Sequence, residues 1–282
     1  MADGSGSAQQ CPAVEMIAFL AGLPMVSRPI ISRWFGQDPA TETKHDASPV
    51  TIADRDVETA LKTAVAARFP RDNLAGEEFG AIPETGSAFR WIIDPIDGTK
   101  AFVSGKPVFG TLVGLLYNDM PVAGLVDMPM LGETYIGLNG FDATAGAWLN
   151  DCPIVPRGCT DLAAARLATT SPRALSPERR KDFDNLADRV AVTNYGGDCH
   201  NYALLAAGHI DIVMEDSLAP HDIMAVVALC LGAGASVTDL AGAPVRFGRT
   251  TSLLVAATPD LHAAAHAVIS GAWDKNDRYR LS

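Results

Sequence analysis

The sequence predicts an α/β protein, and three observations carry that prediction. Helical patterns stand near the start of the chain, at 14–35 and 53–69. Three short apolar, partly β-branched runs between 111 and 138 are separated by turn residues, which reads as a meander in one large sheet. Beyond residue 160, short strand and helix patterns alternate.

In chain order, 14–35 reads as an amphipathic helix bent or interrupted at Pro24. The second helix, 53–69, aligns Val57, Leu61, Val65 and Phe69 on one face, with Thr51 as a candidate cap. Asp54 falls in its first turn, where the helix dipole favours a carboxylate. Residues 90–93 are apolar and form a strand that Pro95 should stop, because proline removes a ladder donor and fixes φ. The meander follows at 111–117, 122–128 and 134–138, turning at Asn118-Asp119 and Gly132. Proline and glycine thicken between 150 and 160, which divides the chain into a half at 12–150 and a half at 151–282. In the second half, 166–170, 190–193, 210–215 and 252–257 read as strands. Its helices run over 177–188, from a cap at Asp198 to a Gly208 stop, over 223–231, and from a Thr258-Pro259 cap to 269.

With 48% hydrophobic and 20% charged residues the chain is globular, and 282 residues suit one large or two tightly packed domains. A net charge of −11 argues against nucleic acid or an anionic membrane as partner, since both need a basic footprint. No apolar stretch approaches the ~20 residues that cross a bilayer. Residues 1–10 have neither the basic nor the apolar region of a signal peptide, so 1–11 is expected to be a disordered tail. Five cysteines without a C-x-x-C pair suggest reduced, mostly buried thiols and a cytoplasmic protein. His262 and His266 have zinc-pair spacing but lack the H-E-x-x-H glutamate, so a surface or packing role is expected.

The chemistry concentrates in Trp91-Ile-Ile-Asp94-Pro-Ile-Asp97-Gly-Thr99-Lys-Ala-Phe-Val103. Asp94 and Asp97, with the Ile96 carbonyl between them, make an all-oxygen corner suited to a hard dication such as Mg²⁺. Gly98 and Thr99 would turn their amides to an anion if a helix begins there. The plain alternative is a turn, in which Asp, Pro and Gly are common.

Asp94-Pro-Ile-Asp97-Gly-Thr99 resembles the D-P-[IL]-D-G-[ST] signature of the inositol monophosphatase-like family, which are Mg²⁺-dependent, lithium-sensitive phosphatases. Leu74-Ala-Gly76-Glu77-Glu78-Phe79-Gly80 precedes it as in that family, and Ser48-Pro-Val-Thr-Ile-Ala-Asp54 resembles a further family segment. The resemblance implies a layered α/β/α/β/α sandwich of the inositol monophosphatase and fructose-bisphosphatase type. It implies two or three Mg²⁺ ions between the halves, with Mn²⁺ as a possible substitute. Glu77, Asp94 and the Ile96 carbonyl would hold one ion; Asp94, Asp97 and Asp222 would hold another. Thr99 with Glu77 would aim a water, with Asp54 as the partner of Thr99, and Gly98 and Thr99 would bind phosphate. Glu78 would stand behind the ligands. A homodimer is expected on the same ground. At the last ligand the chain has His221-Asp222 where the family has W-D or similar; on local evidence alone, an aspartate such as Asp222 at a helix start is usually an N-cap.

Residues 95–116 and 195–222, with their Tyr195-Gly-Gly-Asp198-Cys turn, are most similar to the histidinol-phosphate phosphatases of the family. A cationic amino-alcohol phosphate wants carboxylates, for which Asp198, Glu215 and Asp97 are candidates, with Asn201 as a hydrogen-bond partner. Asp198 as a simple N-cap stands beside that reading. The alternatives are inositol-1-monophosphatase, 3′,5′-bisphosphate nucleotidase, and a non-catalytic metal- or phosphate-binding module.

Overall fold

The computed structural model describes residue 8 and residues 11–36, 41–43, 49–81 and 84–273. The first half contains α1 (Ala13–Gly22), α2 (Pro24–Trp34), β1 (Thr41–Thr43), β2 (Pro49–Thr51), α3 (Ile52–Arg68), β3 (Asn73–Gly76) and β4 (Gly80–Ala81). It continues with β5 (Phe89–Asp97), α4 (Thr99–Val103), β6 (Gly110–Tyr117), β7 (Met120–Met128), β8 (Glu133–Phe141), β9 (Thr144–Leu149) and β10 (Cys152–Pro153). The second half contains β11 (Arg166–Thr169), α5 (Pro177–Ala187), β12 (Val192–Tyr195), α6 (Cys199–Ala206) and β13 (Ile212–Asp216). It closes with α7 (Pro220–Ala233), β14 (Ser236–Thr238), β15 (Ser252–Ala256) and α8 (Pro259–Ile269).

An eight-stranded sheet runs β10-β9-β8-β7-β6-β5-β3-β4, and a five-stranded sheet runs β12-β11-β13-β15-β14. Three buried apolar clusters set the layers. Met16, Leu20 and Ile31 of the first helices and Val57 and Leu61 of α3 pack on Trp91, Ile93, Val113 and Leu125, one face of the large sheet. On its other face, Ile92, Leu112 and Val126 meet Tyr202 and Leu205 of α6 and Met224 and Val227 of α7, which in turn meet Val213 and Val255 of the small sheet. The outer face of that sheet, Leu167, Ile212 and Leu254, is covered by Phe183 of α5 and Leu261 and Val268 of α8. The order is therefore α/β/α/β/α, as the resemblance implied.

The middle layer is held unusually close to the large sheet. Gly114 pairs with Gly124, and Gly124 with Gly137, making a row across β6, β7 and β8. A Cβ on Gly124 would stand 2.3 Å from the Ala225 carbonyl oxygen, and one on Gly137 would stand 2.3 Å from Leu229 Cα. Only hydrogen fits there, so α7 lies on the sheet backbone and its first turn is fixed over the end of β5.

Several sequence expectations need correction. The strand expected to stop at Pro95 continues to Asp97, with a register shift against β6 between Asp94 and Asp97. β3 pairs with β5 only as far as Ile93, so Pro95 opposes no β3 residue and sits in an irregular stretch that tolerates its missing donor. The 13–34 helical region, broken at Pro24 as expected, meets the length and composition of a membrane span, contrary to the sequence reading. Met16, Leu20, Leu23 and Ile31 within it are nevertheless core residues, and Arg28 pairs with buried Asp127 at 2.7 Å. β9 was not anticipated. Most of the tail expected at 1–11 lies outside the described residues, but Ala8 and Cys11 are buried, and the Ala8 amide donates to Asp72 at 3.1 Å. All five cysteines are free thiols, and Cys152 is the exposed one. His262 and His266 stack on α8 with ring centroids 6.4 Å apart, a packing role as expected.

Candidate active site

The irregular end of β5 presents Asp94 and Asp97 toward the second half of the chain. Gly98 follows with φ 88°, a left-handed conformation that lets α4 begin at Thr99. The Thr99 hydroxyl donates to the Ile96 carbonyl at 3.2 Å. That places its proton within the motif, where the sequence reading had paired Thr99 with Asp54. Asp54 itself is 2% exposed in the first turn of α3, close enough for its charge to act on Asp94. The Thr51 side chain and residues 44–48 of the segment before Asp54 lie outside the described residues.

Glu77 is delivered by the turn after β3, where its amide donates to the Ile93 carbonyl at 3.1 Å. Glu58 of α3 holds this turn: its carboxylate accepts the Glu78 amide at 2.6 Å and the Phe79 amide at 3.2 Å. Lys62 neutralises Glu58 at 2.7 Å. Sequence reading missed Glu58, which the structure buries fully; its place four residues after Asp54 and beside Val57 of the apolar face was the available signal. Glu78 lines the same cavity as Glu77, with Arg55 Nε 3.9 Å from its carboxylate.

Asp222 comes from the second half. It occupies the third position of α7 rather than the N-cap, which is Ala219, and its Oδ2 accepts the Ala219 amide at 2.7 Å. Ligand atoms of Asp94, Asp97 and Asp222 lie within 4.8 Å of one another, and so do those of Glu77, Asp94 and His221. Asp94 belongs to both groups. Four of the five predicted ligand residues thus converge from three segments of the sequence, and the Ile96 carbonyl lies between Asp94 and Asp97 in the chain. His221 was not among the predicted site residues.

Electrostatics expose what this corner lacks. Burial pushes the Asp94 carboxyl well above the usual carboxylate range, and the charges of Glu77, Asp97, Asp222 and Asp54 push the same way. Asp97 is raised by burial, then by Asp198 and Asp222, against the hydrogen bonding of Cys199. Burial also raises Asp222, with His221 and the Ala219 amide opposing. Asp94 Oδ1 is buried and accepts no hydrogen bond among the described residues. An all-oxygen group with an orphaned acceptor and mutually repelling charges fits a hard divalent cation.

A cavity of about 750 Å³ opens beside the corner, lined by Glu77, Asp97 and Lys100 from one half and Asp198, Glu215 and Asp222 from the other. Asp198 stands at the N-cap position of α6 with φ 45°, yet its side chain makes no cap hydrogen bond. The amides that a cap side chain would take go to backbone carbonyls, His200 to Gly197 at 2.8 Å and Asn201 to Asp198 at 3.1 Å, while the Cys199 amide donates to Asp97 Oδ2 at 2.6 Å. The simple capping role is therefore excluded, and the Asp198 carboxylate reaches toward Gly98, 3.1 Å from where a Cβ would stand. Lys100 pulls its carboxyl down against the larger effect of burial.

Glu215 accepts the Thr170 amide at 2.8 Å, the Thr170 hydroxyl, and the Tyr202 hydroxyl at 3.0 Å. Burial pushes it up to about 7 despite those bonds. Asn201, proposed from sequence to meet substrate, is 3% exposed and absent from the cavity wall. Its amide donates to the Gly196 carbonyl at 2.9 Å, so it ties the Gly196-Gly197 turn that presents Asp198. Lys100 and Arg55, cations of the wall, were further residues that sequence reading passed over.

The model of the inositol monophosphatase family matches residues 15–274. The chain is 43% identical over 214 residues to the bifunctional phosphatase IMPL2, chloroplastic, of Arabidopsis thaliana, covering 76% of this chain and 61% of the plant protein. It therefore spans less than two thirds of that relative's length. Identity to a histidinol-phosphatase of Chlorobaculum parvum is 33% over 201 residues, or 71% of this chain and 76% of that one. Among solved structures, an inositol monophosphatase from Zymomonas mobilis superposes with a TM-score of 0.81 at 33% identity, over 92% of this chain and 99% of that chain.

Proposed function

The chain belongs to the inositol monophosphatase family, whose members hydrolyse small phosphomonoesters with the help of metal ions, and on that premise we propose that its substrate is histidinol phosphate. The observation that carries this reading is Asp198: a carboxylate at the start of α6 that makes no cap hydrogen bond and lines the cavity beside the phosphate motif. It would take the ammonium group of an amino-alcohol phosphate, a partner that a neutral polyol does not offer. The histidinol-phosphatase named above points in the same direction.

In this reading Glu77, Asp94 and the Ile96 carbonyl hold one divalent cation, and Asp94, Asp97 and Asp222 hold a second, most simply Mg²⁺. Such ions supply positive charge against the phosphoryl oxygens and acidify water. The protein's share is placement. Asp97 is steadied by the Cys199 amide and Asp222 by the Ala219 amide, which orients each carboxylate before any ligand arrives. The Glu77 turn is fixed by Glu58. Thr99 and the Glu77 carboxylate aim the attacking water, and the phosphate lies against the amides of Gly98 and Thr99 with Lys100 nearby.

Phosphate release from L-histidinol phosphate and from inositol 1-phosphate, each with and without Mg²⁺, tests the proposal. It expects hydrolysis to need Mg²⁺ and kcat/KM to favour histidinol phosphate. A preference for the inositol ester would overturn the substrate assignment. No release from either ester with Mg²⁺ present would favour the non-catalytic alternative.

A further inference from the structure

We propose that His221 is a nitrogen ligand at the first metal position, and that it biases this position toward borderline transition ions such as Co²⁺ over Mg²⁺. The inference rests on the metal-dependent reading above and deepens it. His221 occupies the first turn of α7, immediately before Asp222. Its Nε2 lies 3.9 Å from Glu77 Oε1 and 3.6 Å from Asp222 Oδ1. Both separations are too long for hydrogen bonds. Two donors bound ~2.1 Å from one ion stand at most ~4.2 Å apart, so the 3.9 Å separation from Glu77 fits two donors on a shared cation.

Asp94 completes the group, with ligand atoms of Glu77, Asp94 and His221 mutually within 4.8 Å. A separate observation points to a missing ligand there: buried Asp94 Oδ1 accepts no hydrogen bond among the described residues. The two positions that share Asp94 therefore differ in chemistry. One offers carboxylate oxygens from Asp94, Asp97 and Asp222; the other adds an imidazole to Glu77 and Asp94. Oxygen-only sets suit Mg²⁺, whereas imidazole favours later first-row ions in the Irving–Williams order. Ligation through Nε2 places the proton of the neutral ring on Nδ1.

Two measurements on the tag-free full chain test this. Calorimetric titration compares Co²⁺ and Mg²⁺ binding to wild type and to His221→Gln. The expected result is a loss of at least about tenfold in Co²⁺ affinity, with Mg²⁺ affinity changed less than about threefold, the selectivity an imidazole donor gives. Pulsed electron paramagnetic resonance of the Mn²⁺-loaded wild type should show ¹⁴N coupling from a directly bound ring, absent in the variant. The wild-type spectrum does not depend on the variant folding. An absent ¹⁴N signal, or equal loss of both metals in His221→Gln, would overturn the assignment. If Mg²⁺ supports hydrolysis while the ¹⁴N signal is missing, this inference fails alone. If the signal is present without hydrolysis, the ligand assignment stands and the phosphatase reading falls.

Discussion

Two sets of carboxylates face the same cavity, and the fold treats them in opposite ways. In the second half, Glu215 is surrounded by donors: the Thr170 amide and hydroxyl and the Tyr202 hydroxyl all oppose the effect of burial. At the end of β5, every neighbouring charge acting on Asp94 raises its carboxyl further, and one oxygen is left unmatched. The Glu215 wall is complete without a ligand. The Asp94 corner is complete only when positive charge enters it, because a buried carboxylate needs either hydrogen bonds or a counter-charge. The difference separates positioning from chemistry: one acid shapes a pocket, while the other group waits for ions.

The comparison breaks most sharply at Asp94. Asp94→Asn should lower Mg²⁺-dependent phosphate release by at least ~10³-fold, since several kcal/mol of metal charge stabilisation is lost at the shared ligand. The metal-free protein should remain folded and melt at the same or a higher temperature, because mutual repulsion is relieved. A lost circular dichroism spectrum would give Asp94 a structural role.

Glu215 should behave differently. Its folded value of about 7 lies above the ordinary 4.5, so the folded state holds the proton more tightly. Its contribution to stability is present below 4.5, declines as pH rises to 7, and by then has cost about 3 kcal/mol. Urea midpoints between pH 4.5 and 7.5 in saturating Mg²⁺ should therefore fall less steeply for Glu215→Gln than for wild type. Identical slopes would contradict the burial argument.

Asp198→Asn sharpens the substrate side. Removing one charge-assisted contact, worth about 1.5–3 kcal/mol, should lower kcat/KM for histidinol phosphate by roughly 10–100-fold. Hydrolysis of inositol 1-phosphate should change little, so the ratio between the two esters is the informative quantity. The smallest effect belongs to Asn201→Ala. Loss of its bond to Gly196 should cost about 1 kcal/mol of stability, with a modest rise in KM as Asp198 loosens. A fall in kcat at unchanged KM would give Asn201 a role in the chemical step.

The legible parts of this molecule were those written locally. Asp94-Pro-Ile-Asp97-Gly-Thr99 announces carboxylates, a carbonyl and a left-handed glycine within six residues, and the structure keeps that arrangement together. The break at Pro24 and the Thr258 cap of α8 follow from proline and hydroxyl chemistry in the same way. The convergence of Asp222 with Asp94 was not local. It depends on α7 resting on Gly114, Gly124 and Gly137, whose alignment appears only once three strands are in register. Pro95 misled because its missing donor matters only where a partner strand stands opposite, and β3 has ended by then. The strand β9 was hidden because Thr144-Ala-Gly-Ala147 lacks an apolar alternation. Asp198 could be read as cap or as contact, since only the structure reveals that the His200 and Asn201 amides go to backbone carbonyls and leave its carboxylate to the cavity.

A crystal soaked in Mn²⁺ and recorded at the manganese absorption edge tests the convergence of acids most directly. Anomalous peaks are predicted on both sides of Asp94, one within bonding distance of Glu77 and the other within bonding distance of Asp97 and Asp222. Peaks confined to other parts of the surface, with none touching Asp94, would contradict the account.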